Sequence, residues 1–189
     1  MTPTASSMAQ VRRLTTESAR FNIGLIQRTL NTPTLALLFL DPTFQRQFTF
    51  EQAASGDPTL GFREALTTDI GDVWVVEYVE AGRPTLFRGK GDVDLPARGR
   101  FWIHAGDGRV VASELTLKDP EVEATVDVLY HDDSAVGQAV PVEMRELYSD
   151  LYGSSVEGTA TYSNFRRFQV QVEEVMPPEQ EPRHEPVRN

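Results

Sequence analysis

The chain has 189 residues, 40% of them hydrophobic, and a formal net charge of -10, which suits one domain with a real core and argues against a nucleic-acid partner, since a phosphate backbone is held by clustered Lys and Arg. It contains no cysteine, so disulfides, thiolate zinc sites, iron–sulfur clusters and thiol nucleophiles are excluded together. No apolar run reaches the roughly 18 to 20 residues of a transmembrane helix, and the first residues lack the basic and apolar regions of a signal peptide.

Residues 1–16 are polar and poor in large apolar groups, and read as a disordered N-terminal segment. Phe21, Leu25, Ile26 and Leu30 recur near helical spacing, which predicts a helix over 17–30. Thr32-Pro33 then reads as a cap followed by a first helical residue. A second short helix is therefore expected over 33–40, apolar all round and hence buried against a sheet, with Asp41-Pro42 ending it.

Residues 47–52 read as extended, with Phe48 and Phe50 on one face, and 53–58 as a turn. Residues 59–70 read as loop or irregular strand. Residues 73–79 form a strand apolar on both faces except at Glu77, so both faces need cover. Residues 83–88 pair with it or follow it, and 89–96 are a Gly- and Asp-rich loop.

Past Ala97 the pattern is a meander. Residues 100–105 place Phe101 and Ile103 on one face and Trp102 on the other. Gly106-Asp107-Gly108 is a tight turn, 109–117 returns, and Lys118-Asp119-Pro120 turns again. Residues 121–130 carry the clearest signal: Val122, Ala124, Val126, Val128 and Tyr130 alternate with Glu121, Glu123, Thr125 and Asp127, a period of two that marks a half-buried strand. A polar loop over 131–137, a strand around 140–144 with Pro141 near an edge or start, a loop over 148–155, and strands over 156–165 and 167–173 follow. Residues 177–189 are a Pro- and Glu-rich disordered tail. Helices ahead of an antiparallel meander of about eight strands make the class α+β, with a single domain over 17–176.

No catalytic signature emerges. His131-Asp132-Asp133 offers metal ligands on one loop but no distant partner to close a site; His104 adjoins a turn and His184 lies in the tail. The stretch 82–90 has the wrong glycine spacing for a phosphate loop, and 89–94 lacks the terminal Glu of a calcium hand. No serine has a Gly-x-Ser-x-Gly frame. Glu143, Glu146 and Asp150 read as solvated carboxylates, and Arg166-Arg167 as packing and pairing partners of neighbouring strands. Neither a metal nor a cofactor is assigned.

The run Gly99-Arg-Phe-Trp-Ile103, Gly106-Asp-Gly-Arg109, Ser113-Glu-Leu115, the alternating strand, Val140-Pro-Val-Glu-Met144 and Ala160-Thr-Tyr-Ser-Asn-Phe-Arg-Arg-Phe168 resembles the later half of the LolA/LolB-like fold. That superfamily includes bacterial outer-membrane lipoprotein carriers and the RseB sensor domain. The resemblance implies an open half-barrel whose concave face is plugged by helices and takes acyl chains. It makes Leu35, Leu37, Leu38 and Phe39 the plug, and Trp74, Tyr78 and Trp102 the cavity lining. It carries no catalytic residues. Family members have further strands and a signal peptide ahead of the first helix, so the resemblance makes this chain the C-terminal part of a longer envelope protein, periplasmic if a signal peptide lies upstream. The resulting expectation is a non-enzymatic envelope protein that binds a lipid or lipoprotein acyl chain. The alternative is an interaction module that meets a protein partner at a sheet edge or on the concave face.

Overall fold

A computed structural model describes residues 9, 30, 32–53, 72–89 and 91–166. Apart from Ala9 and Leu30, the segments expected as a loose N-terminus and a first helix lie outside the described residues. So do 59–70, most of the 53–58 turn, the strand over 167–173 and the tail.

Among the described residues, seven strands form one antiparallel sheet in the order β1 (Phe48–Gln52), β2 (Val73–Glu80), β5 (Arg98–His104), β6 (Val110–Lys118), β7 (Val122–Asp133), β8 (Gln138–Asp150) and β9 (Ser155–Thr161). The sheet is open, with β1 and β9 at opposite ends. Between β2 and β5 the chain makes a separate two-stranded excursion, β3 (Phe87–Arg88) and β4 (Asp94–Leu95). The expected meander is thus present, but residues 83–88 do not pair with β2; Phe87 pairs with Leu95 instead, inside the stretch expected to be all loop. The predicted loops at 131–137 and 148–155 are also shorter, because β7 and β8 stay paired out to Asp133 and Gln138 at one end and Val122 and Asp150 at the other.

Helix is scarcer than the α+β expectation among the described residues. Residues 33–40 form a turn and a 3-10 segment, Ala36–Leu40, not an α-helix. Leu38 N–H donates to the Leu35 carbonyl and Asp41 N–H to that of Leu38, both three residues apart. Asp41-Pro42 ends this segment as expected, with Asp41 extended. Asp41 also caps a new turn, its carboxylate accepting from Thr43 N–H at 2.8 Å, and Pro42 opens the α-turn α1 (Pro42–Gln45). The cap-then-proline signal read at Thr32-Pro33 is made here by Asp41-Pro42, and the ring of Pro42 keeps Asp41 extended, so the two helical pieces cannot fuse.

Registers fix the faces of the sheet. The core face carries Tyr78 and Val76 of β2, Phe101 of β5, Leu115 and Leu117 of β6, Ala124, Val126 and Val128 of β7, Met144 and Tyr148 of β8, and Val156 and Ala160 of β9. Leu30, Leu35, Ala36, Phe39 and Phe44 cover it. The opposite face has a smaller apolar cluster of Trp102, Val111 and Ala112, with Val73, Val75 and Leu129 against it. β-Bulges at Trp102/Ile103 and at Leu129/Tyr130 interrupt two ladders, and such insertions bend and coil a sheet.

Candidate functional site

On the core face the helical cover meets the sheet through rings. Phe39 stacks on Phe48 with centroids 4.5 Å apart and meets Tyr78 edge-on at 5.5 Å. Tyr78 in turn stacks on Phe101 at 4.8 Å. Leu35, Phe39 and Tyr78 are buried, and Leu38 is half-buried. The cover is pinned by two polar links. Tyr130 Oη donates to the Pro33 carbonyl at 2.7 Å, and Leu30 N–H donates to Tyr148 Oη.

The structure therefore brings Leu35, Phe39 and Tyr78 together in one packed cluster. Trp74 lies on the same face as Tyr78, opposite Ile103, but at the far end of β2, where it is 54% exposed. Trp102 does not join them. It pairs with Val75 and Ala112 and is buried on the opposite face. Grouping it with Tyr78 conflicts with strand parity, since residues 99 and 101 of β5, not 102, share the face of Tyr78.

Polar candidates separate in the same way. Glu143 points to the outer face and ion-pairs with Arg145 at 2.7 Å, Glu146 lies buried on the core face opposite Val126, and Asp150 caps a turn by accepting from Tyr152 and Ser154 N–H. The three carboxylates do not converge. His104 Nδ1 meets the Asp107 carboxylate at 2.8 Å, and Arg109 pairs with Asp132. Asp133 accepts from Ala135 and Val136 N–H. These contacts close loops, and no cluster suited to a metal ion occurs among the described residues.

Two further acids, buried Glu80 and half-buried Asp127, lie apart from those groups. Glu80 is buried between β2 and the excursion, where one carboxylate oxygen accepts from Leu86 N–H at 2.6 Å and the other from Ala97 N–H at 3.0 Å. Burial raises its pKa, opposed by those two hydrogen bonds. Asp127 lies in a transverse row on the outer face, Glu77, Arg100, Glu114, Asp127, Arg145, one residue from each successive strand. Burial and the facing Glu114 push its carboxyl up to about 7, opposed by Arg145.

At the end of the sheet where β2, β6 and β8 finish, three turns meet. An open pocket of about 240 Å³ is lined by Gly89, Val93 and Leu95 of the excursion and by Asp119, Pro120 and Glu121 of the β6–β7 turn. Leu151 N–H donates to the Glu121 carbonyl at 3.2 Å, which sets the β8–β9 turn beside it. Leu151 and Tyr152 at that turn are 73% and 92% exposed. None of these residues is among the sequence candidates. The signal was present: a valine inside a Gly/Asp loop and a Leu-Tyr pair before a turn glycine are large apolar groups where turns normally carry small polar ones.

The fold and its surfaces define a class: an open antiparallel sheet, plugged on one face and apolar at one end. No family model matches the chain, no curated protein does, and neither does any solved structure.

Proposed function

We propose that the protein is a non-enzymatic binding module that engages another protein through exposed apolar groups at the ends and turns of its sheet. One observation carries this reading. Among the described residues, Phe39, Phe48, Tyr78 and Phe101 pack ring on ring against the β1, β2 and β5 part of the core face, while Trp74, Val79, Val93, Leu147, Leu151 and Tyr152 remain exposed. Large exposed apolar groups on a folded domain mark places where something else packs. The local engagement of His104 by Asp107, of Glu143 by Arg145 and of Asp132 by Arg109 supports a non-catalytic role.

A second reading follows from the family resemblance. In it the sheet is a half-barrel, the N-terminal helices lie on its concave face, and Leu35, Leu38, Phe39, Trp74 and Tyr78 border an acyl-chain cavity in a periplasmic protein. The exposure of Trp74 on the face of Tyr78 favours it. Against it, the packed rings leave a ligand no space between Phe39 and Tyr78 unless the plug shifts.

Photo-crosslinking residues placed singly at Trp74, Val79, Leu147 and Tyr152, in cells of the source organism, test the first reading. A discrete cross-linked protein is expected from at least one position. Absence of any cross-link, together with saturable binding of a fluorescent fatty acid that phospholipid displaces, would replace it with the second.

A further inference from the structure

Resting on the interaction reading, we infer that the turn end of the sheet, at Val93, Leu95, Pro120, Leu151 and Tyr152, docks a polypeptide segment bearing one large apolar side chain flanked by lysine or arginine.

Size comes first. The pocket volume of about 240 Å³ falls below the roughly 300 to 1,000 Å³ of sites that enclose a drug-sized ligand. It suits a single anchoring side chain, the form in which protein interfaces concentrate their affinity. The walls from Val93, Leu95 and Pro120 are apolar, and Leu151, hydrogen-bonded through its N–H to the Glu121 carbonyl of the pocket wall, is followed by Tyr152, both side chains exposed.

The turns are set before any partner arrives. Asp119 Oδ1 accepts from Glu121 and Val122 N–H, both at 2.7 Å, and Asp119 N–H donates to the Val122 carbonyl. Asp150 Oδ1 holds Tyr152 and Ser154 N–H at 2.9 and 2.8 Å, while Gly153 takes the positive φ of 82° that closes the turn. Gly89 N–H donates to the Val93 carbonyl, and the Arg88 guanidinium binds the carboxylates of Asp92 and Asp94. A surface fixed in this way loses little conformational entropy on binding.

Charge selects the partner. Asp119, Glu121 and Asp150 stand around the apolar surface, and the nearby Lys118 is engaged by Glu123 at 2.7 Å. The Asp119 and Glu121 carboxylates that line the pocket attract a cationic segment and repel an acidic one. An anionic bilayer is disfavoured on the same ground.

The test uses the full chain and a short labelled peptide with a central leucine flanked by lysines and arginines, followed by fluorescence anisotropy. Saturable binding is expected, weakening as salt is raised. The exposed-surface variant L151S/Y152S is expected to weaken it by about tenfold or more, the loss typical of a removed anchor, with thermal unfolding unchanged. Glu121→Lys is expected to shift preference toward the same peptide flanked by glutamates. Equal affinity of L151S/Y152S and the parent, or equal binding of the glutamate-flanked peptide by the parent, would overturn the inference. Binding to phosphatidylglycerol vesicles that is lost in L151S/Y152S would overturn it in favour of a membrane surface. In the cross-linking experiment, adducts from Trp74 or Leu147 but none from Tyr152 would remove this site and leave the interaction reading standing. No adduct from any position would remove both.

Discussion

Tyr78 lies across Gly99, its direct partner on the neighbouring strand, and its hydroxyl reaches over the glycine to donate to the Glu114 carbonyl one strand further on, at 2.8 Å. A Cβ at position 99 would stand 2.0 Å from that carbonyl oxygen and 2.8 Å from the tyrosine oxygen. The glycine is therefore a requirement of close approach, and the ring covers the gap that a missing side chain leaves in the sheet.

Gly99→Ala is expected to destabilise the fold by about 2–3 kcal/mol, because backbone and ring must both move. Tyr78→Phe keeps the ring stack on Phe101 and removes one hydrogen bond, so its cost should be about 1 kcal/mol. Urea unfolding of both variants checks the order. A milder effect at Gly99 than at Tyr78 would contradict the geometry.

Glu80 fastens the 81–97 excursion to the sheet with its two carboxylate oxygens. Glu80→Ala leaves two buried N–H groups without acceptors and is expected to cost about 2–4 kcal/mol. Glu80→Gln retains one acceptor oxygen and should fall between. Amide exchange at Leu86 and Ala97 should accelerate more in the alanine variant than at the β7–β8 ladder.

Asp127 faces Glu114 from β6 and Arg145 from β8, and its folded-state pKa of about 7 stands above the unfolded carboxylate value. The folded state thus holds more protons between the two values. This contribution to stability is complete below the unfolded pKa and falls as pH rises toward 7, by at most about 1.4 kcal/mol per pH unit for one proton. Glu80, also raised, acts in the same sense, so the Asp127 share is isolated by difference. Asp127→Asn is expected to equal the parent near pH 4 and exceed it in stability at pH 8. Parallel stability curves across that range would contradict the prediction.

Tyr130 has a single proton, which it gives to the Pro33 carbonyl; the Ser113 hydroxyl, 3.0 Å away, therefore donates to Tyr130 Oη. This joins β6 and β7 to the start of the plug. Tyr130→Phe is expected to cost about 1–2 kcal/mol and to speed amide exchange through residues 35–41 while the β7–β8 ladder stays protected.

The strands were legible wherever one face met the core. In β7 the valines and Tyr130 face inward as their period of two requires, and β2 splits into Tyr78 and Val76 on one face and Val75 on the other. The 148–155 stretch misled because Tyr148-Ser149-Asp150 reads as polar turn. Tyr148 is held in the strand by its pairing with Ala124 and by its buried hydroxyl. The β3–β4 hairpin was hidden for a similar reason: its inward anchors are only Phe87 and Leu95, and the rest of its order comes from Thr85, Arg88 and Asp94 bonding one another.

Side-chain parity is a local property, set by the pleat of each strand, and the sequence by itself determined which residues of a strand share a face. Register is not local. Only the tertiary structure put Trp102 against Val75 and Ala112, away from Tyr78, and brought Val93, Pro120 and Leu151 from three distant turns to one end of the sheet. Those placements depend on how loops of different lengths close and which backbone groups they satisfy, information that no single stretch of the chain contains.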